Sequence, residues 1–321
     1  MGKIITVTAN TAFDKIVKPD AAGVHSERSE TLLFPAGKGI NVARTIATLG
    51  REVTALGFVG QWDEHLFNEL NSNNFHVNLI PVYGATRTNV SILDANGKIS
   101  AHLKNHGFSI TPQRMRELMN CVGAEVSDGD VVVIAGSLPD GVESTAYAEL
   151  VELCRSLGAR VILDSSRQDL RDGLGGIPYM IKPNQEEFCA LTGVNSRPEI
   201  IKAARQIQSR GVALVVISQG AEGVTVVTAD EVWKANVIVD EKRVISDGVG
   251  SGDALVGGFA VGLLEQKSLV DTIRLGVACG AANVFMFGPG VCKLDDIEEL
   301  LPQVTIAKVS EAIALEQSRP S

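Results

Sequence analysis

Positive charge is scarce in this chain. Lys and Arg number 29 against 38 Asp and Glu, for a formal net charge of −9. A nucleic-acid partner usually requires a clustered basic face, so that class is set aside. An anionic ligand stays admissible if a few local cations hold it. Cysteine is scarce too: Cys121, Cys154, Cys189, Cys279 and Cys292 are spread over 321 residues with no Cys-x-x-Cys pair. That spacing suggests neither a zinc site nor a disulfide framework, and reads as buried reduced thiols. No apolar run is long enough to cross a bilayer, so no membrane partner is expected. The opening MGKIITVTAN also lacks the apolar core of a signal peptide. Gly2 and Thr6 fit a short acylation pattern, but IITV reads better as a buried first strand. These absences point to a soluble, cytoplasmic protein.

What is present looks globular. Hydrophobic residues make up 45% and charged residues 21%, with material for one large α/β domain or two small ones. Aliphatic runs at 3–9, 131–136, 160–166 and 213–220 read as buried parallel strands. Helical patterns lie between them: INVARTIATLG (40–50) and STAYAELVELCRSLG (144–158) both stop at a glycine. Later the chain turns mostly helical, over 253–265, 269–287 and 294–301. Strand and helix in alternation indicate a doubly wound sheet. One segment breaks the rhythm, because RTNVSILDANGKISAHL (87–103) alternates around an Asn-Gly turn and predicts a hairpin. Residues 14–34 are polar and extended in character, and the two pieces could form a small projecting sheet. A single domain over 1–321 is expected, with this excursion inserted from about 14–34 and 80–106.

Three polar clusters carry the candidate chemistry. In GVGSGD (248–253) the glycines let backbone amides approach a ligand, and the helix that follows adds unpaired N–H donors. Such a nest suits charge developing on a transferring phosphoryl group, and Asp253 could take a proton from an attacking hydroxyl. An acidic helix cap after a glycine turn is the plainer alternative. No P-loop competes: the Gly-Lys pairs at Gly2, Gly37 and Gly97 are not followed by Ser or Thr. The dinucleotide fingerprint also fails, since Asp253 stands where its third glycine belongs. In PAGKGINVA (35–43), Gly37, Lys38, Gly39 and Asn41 could surround a polyhydroxylated or phosphorylated ligand. In IKPNQEEF (181–188), Asn184 and Glu187 would share a helical face, able to orient waters on magnesium or to begin a surface helix. His102 and His106 are four apart, but ISAHL reads as strand and no metal pair is expected there.

Together these motifs resemble the PfkB branch of the ribokinase-like sugar kinases, in its 1-phosphofructokinase and tagatose-6-phosphate kinase subgroup. The likeness runs over roughly residues 3–300. TVTANTAFD (6–14), PAGKGINVAR (35–44), GFVG (57–60), TRTNVSI (86–92), AGSLPDGV (135–142), ILDSS (162–166), KPNQEEF (182–188), VVISQGAEG (215–223) and GVGSGD follow in the family's order. The resemblance implies a three-layer α/β/α sandwich with a mostly parallel sheet and a small β-sheet lid. It implies that Asp253 is the general base and that the amides of Gly250, Ser251 and Gly252 form the anion hole. Asn184 and Glu187 would position Mg2+ through water, and Lys182, Ser218, Gly220 and Gly223 would lie on the ATP side. Asp14, Gly37, Gly39, Asn41 and Ser137 would hold the sugar. Lys38 and Arg87 would neutralise its phosphate, with Arg28 reaching from a neighbouring subunit of a homodimer paired through the lid.

The implied reaction is phosphorylation of a ketohexose phosphate by ATP, fructose 1-phosphate first, with tagatose 6-phosphate or fructose 6-phosphate as the alternative acceptor. A sensor that keeps the fold without the catalysis is the reading from another class. Ala36 stands where the family's sugar signature has its first glycine, and Glu27 precedes Arg28 where many relatives have Asn.

Overall fold

The computed structural model describes residues 2–18, 30–94, 99–246 and 248–309. Arg28 and the Asn96-Gly97 turn lie outside the described residues. Unbroken runs of Ile and Val become strands buried on both faces, as in IITVT and VVVIA, where every residue is buried. In chain order the strands are β1 (Ile4–Thr8), β2 (Ala12–Lys18), β3 (Glu30–Ala36), β4 (Val53–Gly60), β5 (Phe75–Val82), β6 (Arg87–Leu93) and β7 (Ile99–Leu103). There follow β8 (Val131–Ala135), β9 (Arg160–Asp164), β10 (Met180–Ile181), β11 (Leu214–Ser218), β12 (Val224–Val227), β13 (Val232–Asn236) and β14 (Thr305–Lys308). The helices are α1 (Lys38–Thr48), α2 (Glu64–Asn68), α3 (Pro112–Glu125), α4 (Ala146–Ser156) and α5 (Arg167–Gly173). The later ones are α6 (Gln185–Thr192), α7 (Arg197–Gln208), α8 (Ser251–Leu264), α9 (Leu269–Ala282) and α10 (Leu294–Leu300).

Ten strands form the main sheet in the order β14-β13-β12-β11-β10-β9-β8-β1-β4-β5. From β5 to β11 every pairing is parallel, and β12, β13 and β14 close one edge antiparallel. Alternate side chains of each strand enter opposite cores. Ile4, Val53 and Val131 pack with Ile40 of α1, Phe259 of α8 and Ile273 of α9. Ile5, Leu56 and Val132 pack with Leu118 of α3, Leu150 of α4 and Phe188 of α6. The result is the expected three layers, helices on both faces of a mostly parallel sheet. Among the described residues no helix is long and apolar enough to cross a membrane.

The four expected strands and the glycine stops are in place: Gly50 and Gly158 follow α1 and α4 with φ of 71° and 87°. β4, β5 and the antiparallel edge were not anticipated. The helix expected over 269–287 ends at Ala282, and a 3-10 turn over Asn283–Phe285 follows it. The excursion is a separate four-stranded sheet, β3-β2-β6-β7, in which β6 and β7 pair antiparallel and β2 runs parallel to β6. His102 lies on β7, where its Nδ1 is 2.9 Å from Ser91 Oγ. The small sheet rests on the loop after α9, with Lys18 Nζ 3.6 Å from the Phe287 ring centre.

Candidate active site

The polar clusters converge at the carboxyl edge of the main sheet, where loops leave β1, β8, β9, β10 and β11 and doubly wound folds bind ligands. Gly250 caps α8 with φ 89°, and a Cβ there would overlap Pro289. The left-handed turn and the close loop both require glycine. Of the three amides expected in an anion hole, that of Ser251 is already donated to the Gly248 carbonyl at 3.0 Å. The amides of Gly252 and Asp253 follow it in the first turn, without a backbone acceptor among the described residues. The helix dipole adds to their pull on an anion.

Asp253 is 7% exposed, an unusual burial for a carboxylate. The Asn41 amide donates to its Oδ2 at 2.7 Å. Burial pushes its carboxyl up to about 6, against the opposing pull of Lys38 and with a further push from Asp164. The raised proton affinity suits a group that must take a proton from a hydroxyl. Asn41, expected on the sugar, thus holds the candidate base.

Lys38 is paired with a buried carboxylate. Its Nζ donates to Asp164 Oδ1 at 3.0 Å, and Lys182 Nζ is 3.5 Å from the same oxygen. Burial disfavours the Lys38 charge, yet Asp164, then Asp253 and Glu187, outweigh it and raise its proton affinity. Arg87 faces a different acid: Asp14 is the carboxylate that offsets the burial of its guanidinium, whose proton affinity is lowered overall. Arg87 Nη2 also donates to the Asn10 carbonyl at 3.1 Å. The two cations expected together on one phosphate therefore answer to separate carboxylates.

Asp14 lies on β2 and accepts from Asn89 Nδ2 at 2.7 Å. Burial raises its carboxyl, and the Asn89 hydrogen bond works against that rise. Ser137 Oγ accepts from Asn10 Nδ2 at 3.3 Å, close to the loop that carries Arg87's backbone partners. Gly37 and Gly39 serve the fold first. Gly37 has φ 121°, and a Cβ on Gly39 would overlap Thr8 Oγ1, so their lack of side chains lets α1 start tight against β1.

Asn184 and Glu187 do share a helical turn, and there they cap it. Asn184 Oδ1 accepts from the Glu187 amide at 2.7 Å, and Glu187 Oε2 accepts from the Asn184 amide at 2.9 Å. Glu187 keeps Oε1 outside that reciprocal pair as an acceptor for metal-bound water, whereas the atom left on Asn184 is the donor Nδ2, which suits a ligand oxygen instead. Ser218 pairs with Asn184 through a backbone bridge and its amide donates to the Pro183 carbonyl, which joins the two segments expected on the ATP side. Gly220 has open space around it, whereas a Cβ on Gly223 would overlap the Ala235 carbonyl. Gly220 is thus the one of this pair that leaves room beside the backbone for a ligand. Among the described residues no group of three or more His, Cys, Asp or Glu could hold a metal directly.

Asp164, within the ILDSS motif, is a further residue of this cluster that the sequence motifs do not single out. An acid ending a parallel strand buried from Val161 onward was the available signal.

Comparison with known proteins agrees with this fold. The model for the pfkB family carbohydrate kinases matches residues 4–297. The 1-phosphofructokinase of Haemophilus influenzae is 33% identical over 314 residues, 96% of this chain and 99% of the relative. That of Escherichia coli strain K12 is 34% identical over 318 residues, 95% of this chain and 98% of the relative. Escherichia coli phosphofructokinase-2 in complex with fructose-6-phosphate superposes with a TM-score of 0.82 at 29% identity, over 94% of this chain and 99% of that one. The same enzyme in a tetrameric inhibited form gives 0.83 at 30% identity, with equal coverage.

Proposed function

The chain belongs to the pfkB family of carbohydrate kinases, and from that premise we propose that it phosphorylates fructose 1-phosphate with ATP to give fructose 1,6-bisphosphate. It is a sugar-phosphate kinase, and the acceptor is taken from the relatives named 1-phosphofructokinase. The chemistry is carried by one observation: a buried Asp253 carboxylate in the first turn of α8, held by Asn41.

In this reading Asp253 takes the proton of the acceptor hydroxyl as the oxygen attacks. Asn41 fixes the carboxylate through Oδ2, so it meets the hydroxyl in one orientation. The Gly252 and Asp253 amides and the α8 dipole stabilise negative charge on the group in transit. Lys38 and Lys182 add positive charge beside them. Asp14, Ser137 and Arg87 line the sugar side, with the guanidinium as partner of the phosphate already on the sugar. Glu187, its carboxylate fixed by the Asn184 cap, would hold Mg2+ through water, next to Ser218 and Gly220 on the ATP side. Magnesium held there would supply positive charge that offsets part of the phosphate charge during transfer.

The small sheet acts as a lid and pairs two subunits into a homodimer; Leu33 and Leu103, 52% and 56% exposed on it, support this. A cytoplasmic location follows from the substrate class. Fructose 6-phosphate is the second acceptor to weigh, because phosphofructokinase-2 with that ligand superposes over nearly the whole chain. ADP release with Mg-ATP against fructose 1-phosphate, fructose 6-phosphate, tagatose 6-phosphate, fructose and ribose tests the reading. The highest kcat/KM is expected on fructose 1-phosphate. Turnover confined to unphosphorylated sugars would remove the role of Arg87, and ATP binding without any turnover would favour a sensor.

A further inference from the structure

Two ammonium groups end on one buried carboxylate beside the candidate base. β9 carries Asp164 to the carboxyl edge of the sheet with no exposed surface. Lys38 arrives from the start of α1, the helix that also carries Asn41, and Lys182 arrives from just beyond β10, on the nucleotide side. A buried carboxylate needs a charged or hydrogen-bonding partner. Here it has two on Oδ1, while Oδ2 is buried with none. The lysines do not close a simple pair, because a Cβ on Gly252 would stand 3.2 Å from Lys182 Nζ. The tethered cation therefore lies against the turn whose amides are available to an anion.

We propose that Asp164 is a positioning residue, which holds Lys38 and Lys182 as paired cations on the phosphoryl group in transit. The inference rests on the kinase reading above. In that reading Lys38 and Lys182 stand beside the group in transit and Arg87 faces the phosphate already on the sugar; Asp164 is the residue that would fix the two lysines there. Asp164 thereby joins a cation of the sugar-side helix to one of the nucleotide-side segment at the point where the two substrates meet. It also acts on the base, since Asp253 is faced by Lys38, Lys182, Asp164 and Asn41, and Asp164 is the one among them that favours its protonated form.

The test is Asp164→Asn, read in three ways. The loss expected in kcat is about 100-fold or more, the size seen when one transition-state donor is removed. KM for the sugar phosphate should stay within about threefold, as for a group acting on the transition state. The Asp253 carboxyl, followed by 13C NMR and assigned through its absence in Asp253→Asn, should titrate at lower pH once the neighbouring negative charge is gone. A variant with lower Tm but unchanged kcat and an unmoved Asp253 titration would make Asp164 purely structural and overturn the proposal. If Asp164→Asn does not fold, Lys38→Met still decides, since it leaves Lys182 on Asp164. It should lose kcat and keep KM for the sugar phosphate, and a raised KM with full kcat would return Lys38 to the acceptor. The NMR titration needs no turnover, so it tests Asp164 even if the wild-type enzyme rejects every sugar phosphate and the substrate reading falls.

Discussion

Asn41 and Asp253 are 212 residues apart in sequence, and the Asn41 amide donates to Asp253 Oδ2 at 2.7 Å. The contact depends on how closely α1 and α8 approach. A Cβ on Gly257 of α8 would stand 2.9 Å from Thr45 Cβ of α1, so a glycine is required where the helices meet. Arg44, one turn on from Asn41, secures the same helix by donating to the Pro289 and Pro35 carbonyls at 2.7 and 2.8 Å. The candidate base is thus set by packing between elements from opposite ends of the chain.

Replacing the base tests its role. Asp253→Asn keeps the volume and the Asn41 neighbour, so the fold should persist while kcat falls about 10²–10⁴-fold, the usual contribution of a general base. Steady-state ADP release with circular dichroism as the folding control measures both. Wild-type kcat in a folded Asp253→Asn would show that another group takes the proton.

The pH profile follows from the same carboxyl. The base works ionised, so kcat/KM should fall as pH drops through about 6, where burial has pushed Asp253. The Asn41 hydrogen bond favours the ionised form, so Asn41→Ala should move that acid limb to higher pH. An acid limb that stays in place in Asn41→Ala would separate it from Asp253.

Arg87 should act on binding. Arg87→Ala removes a charged hydrogen-bond donor from the sugar phosphate, a loss of roughly 1.5–3 kcal/mol, or about 10–100-fold in KM for that substrate. Its effect on an unphosphorylated sugar should be small. Equal losses on both substrates would mean that Arg87 supports the loop through the Asn10 carbonyl rather than reading the phosphate.

Glu187 separates a cap from a metal role. Glutamine can serve at the same position of a capping box, so Glu187→Gln should hold Tm near wild type. The magnesium concentration for half-maximal activity should rise, because the carboxylate charge is gone. An unchanged magnesium requirement would leave Asn184 and Glu187 as a helix cap alone.

Gly39 is a packing requirement. Gly39→Ala should destabilise the fold and slow the enzyme, because its Cβ overlaps Thr8 Oγ1. Thr8→Ala in the same chain should recover part of the loss, since the hydroxyl has no hydrogen-bond partner to forfeit. Tm of the single and double variants measures this, and a double variant no better than Gly39→Ala would place the strain elsewhere.

Local features were readable in the sequence. The Gly-x-Gly-x-Gly-Asp run predicts an amide-rich turn because glycine alone tolerates both the left-handed φ and the close loop, and Gly250 meets both conditions. The alternation over 87–103 predicts the hairpin, and β6 and β7 do pair antiparallel, although burial departs from the pattern: Ser91 is buried and Val90 and Ile92 are half-buried. The Asn184–Glu187 pair was seen as a shared face, while its capping geometry is the stronger local signal. The lysine cluster was beyond such reading. Lys38 meets Asp164, 126 residues away, because β1, β8 and β9 are adjacent in the sheet, an order that only the assembled topology specifies. The exposed four-residue β14 gave too little pattern to mark the antiparallel edge.

The most direct measurement is transfer of label from γ-32P-ATP to fructose 1-phosphate by the wild-type enzyme and by Asp253→Asn, with the product identified. The account predicts labelled fructose 1,6-bisphosphate from the wild type and a trace at most from the variant. No labelled bisphosphate from the wild type, or equal label from both, would contradict it.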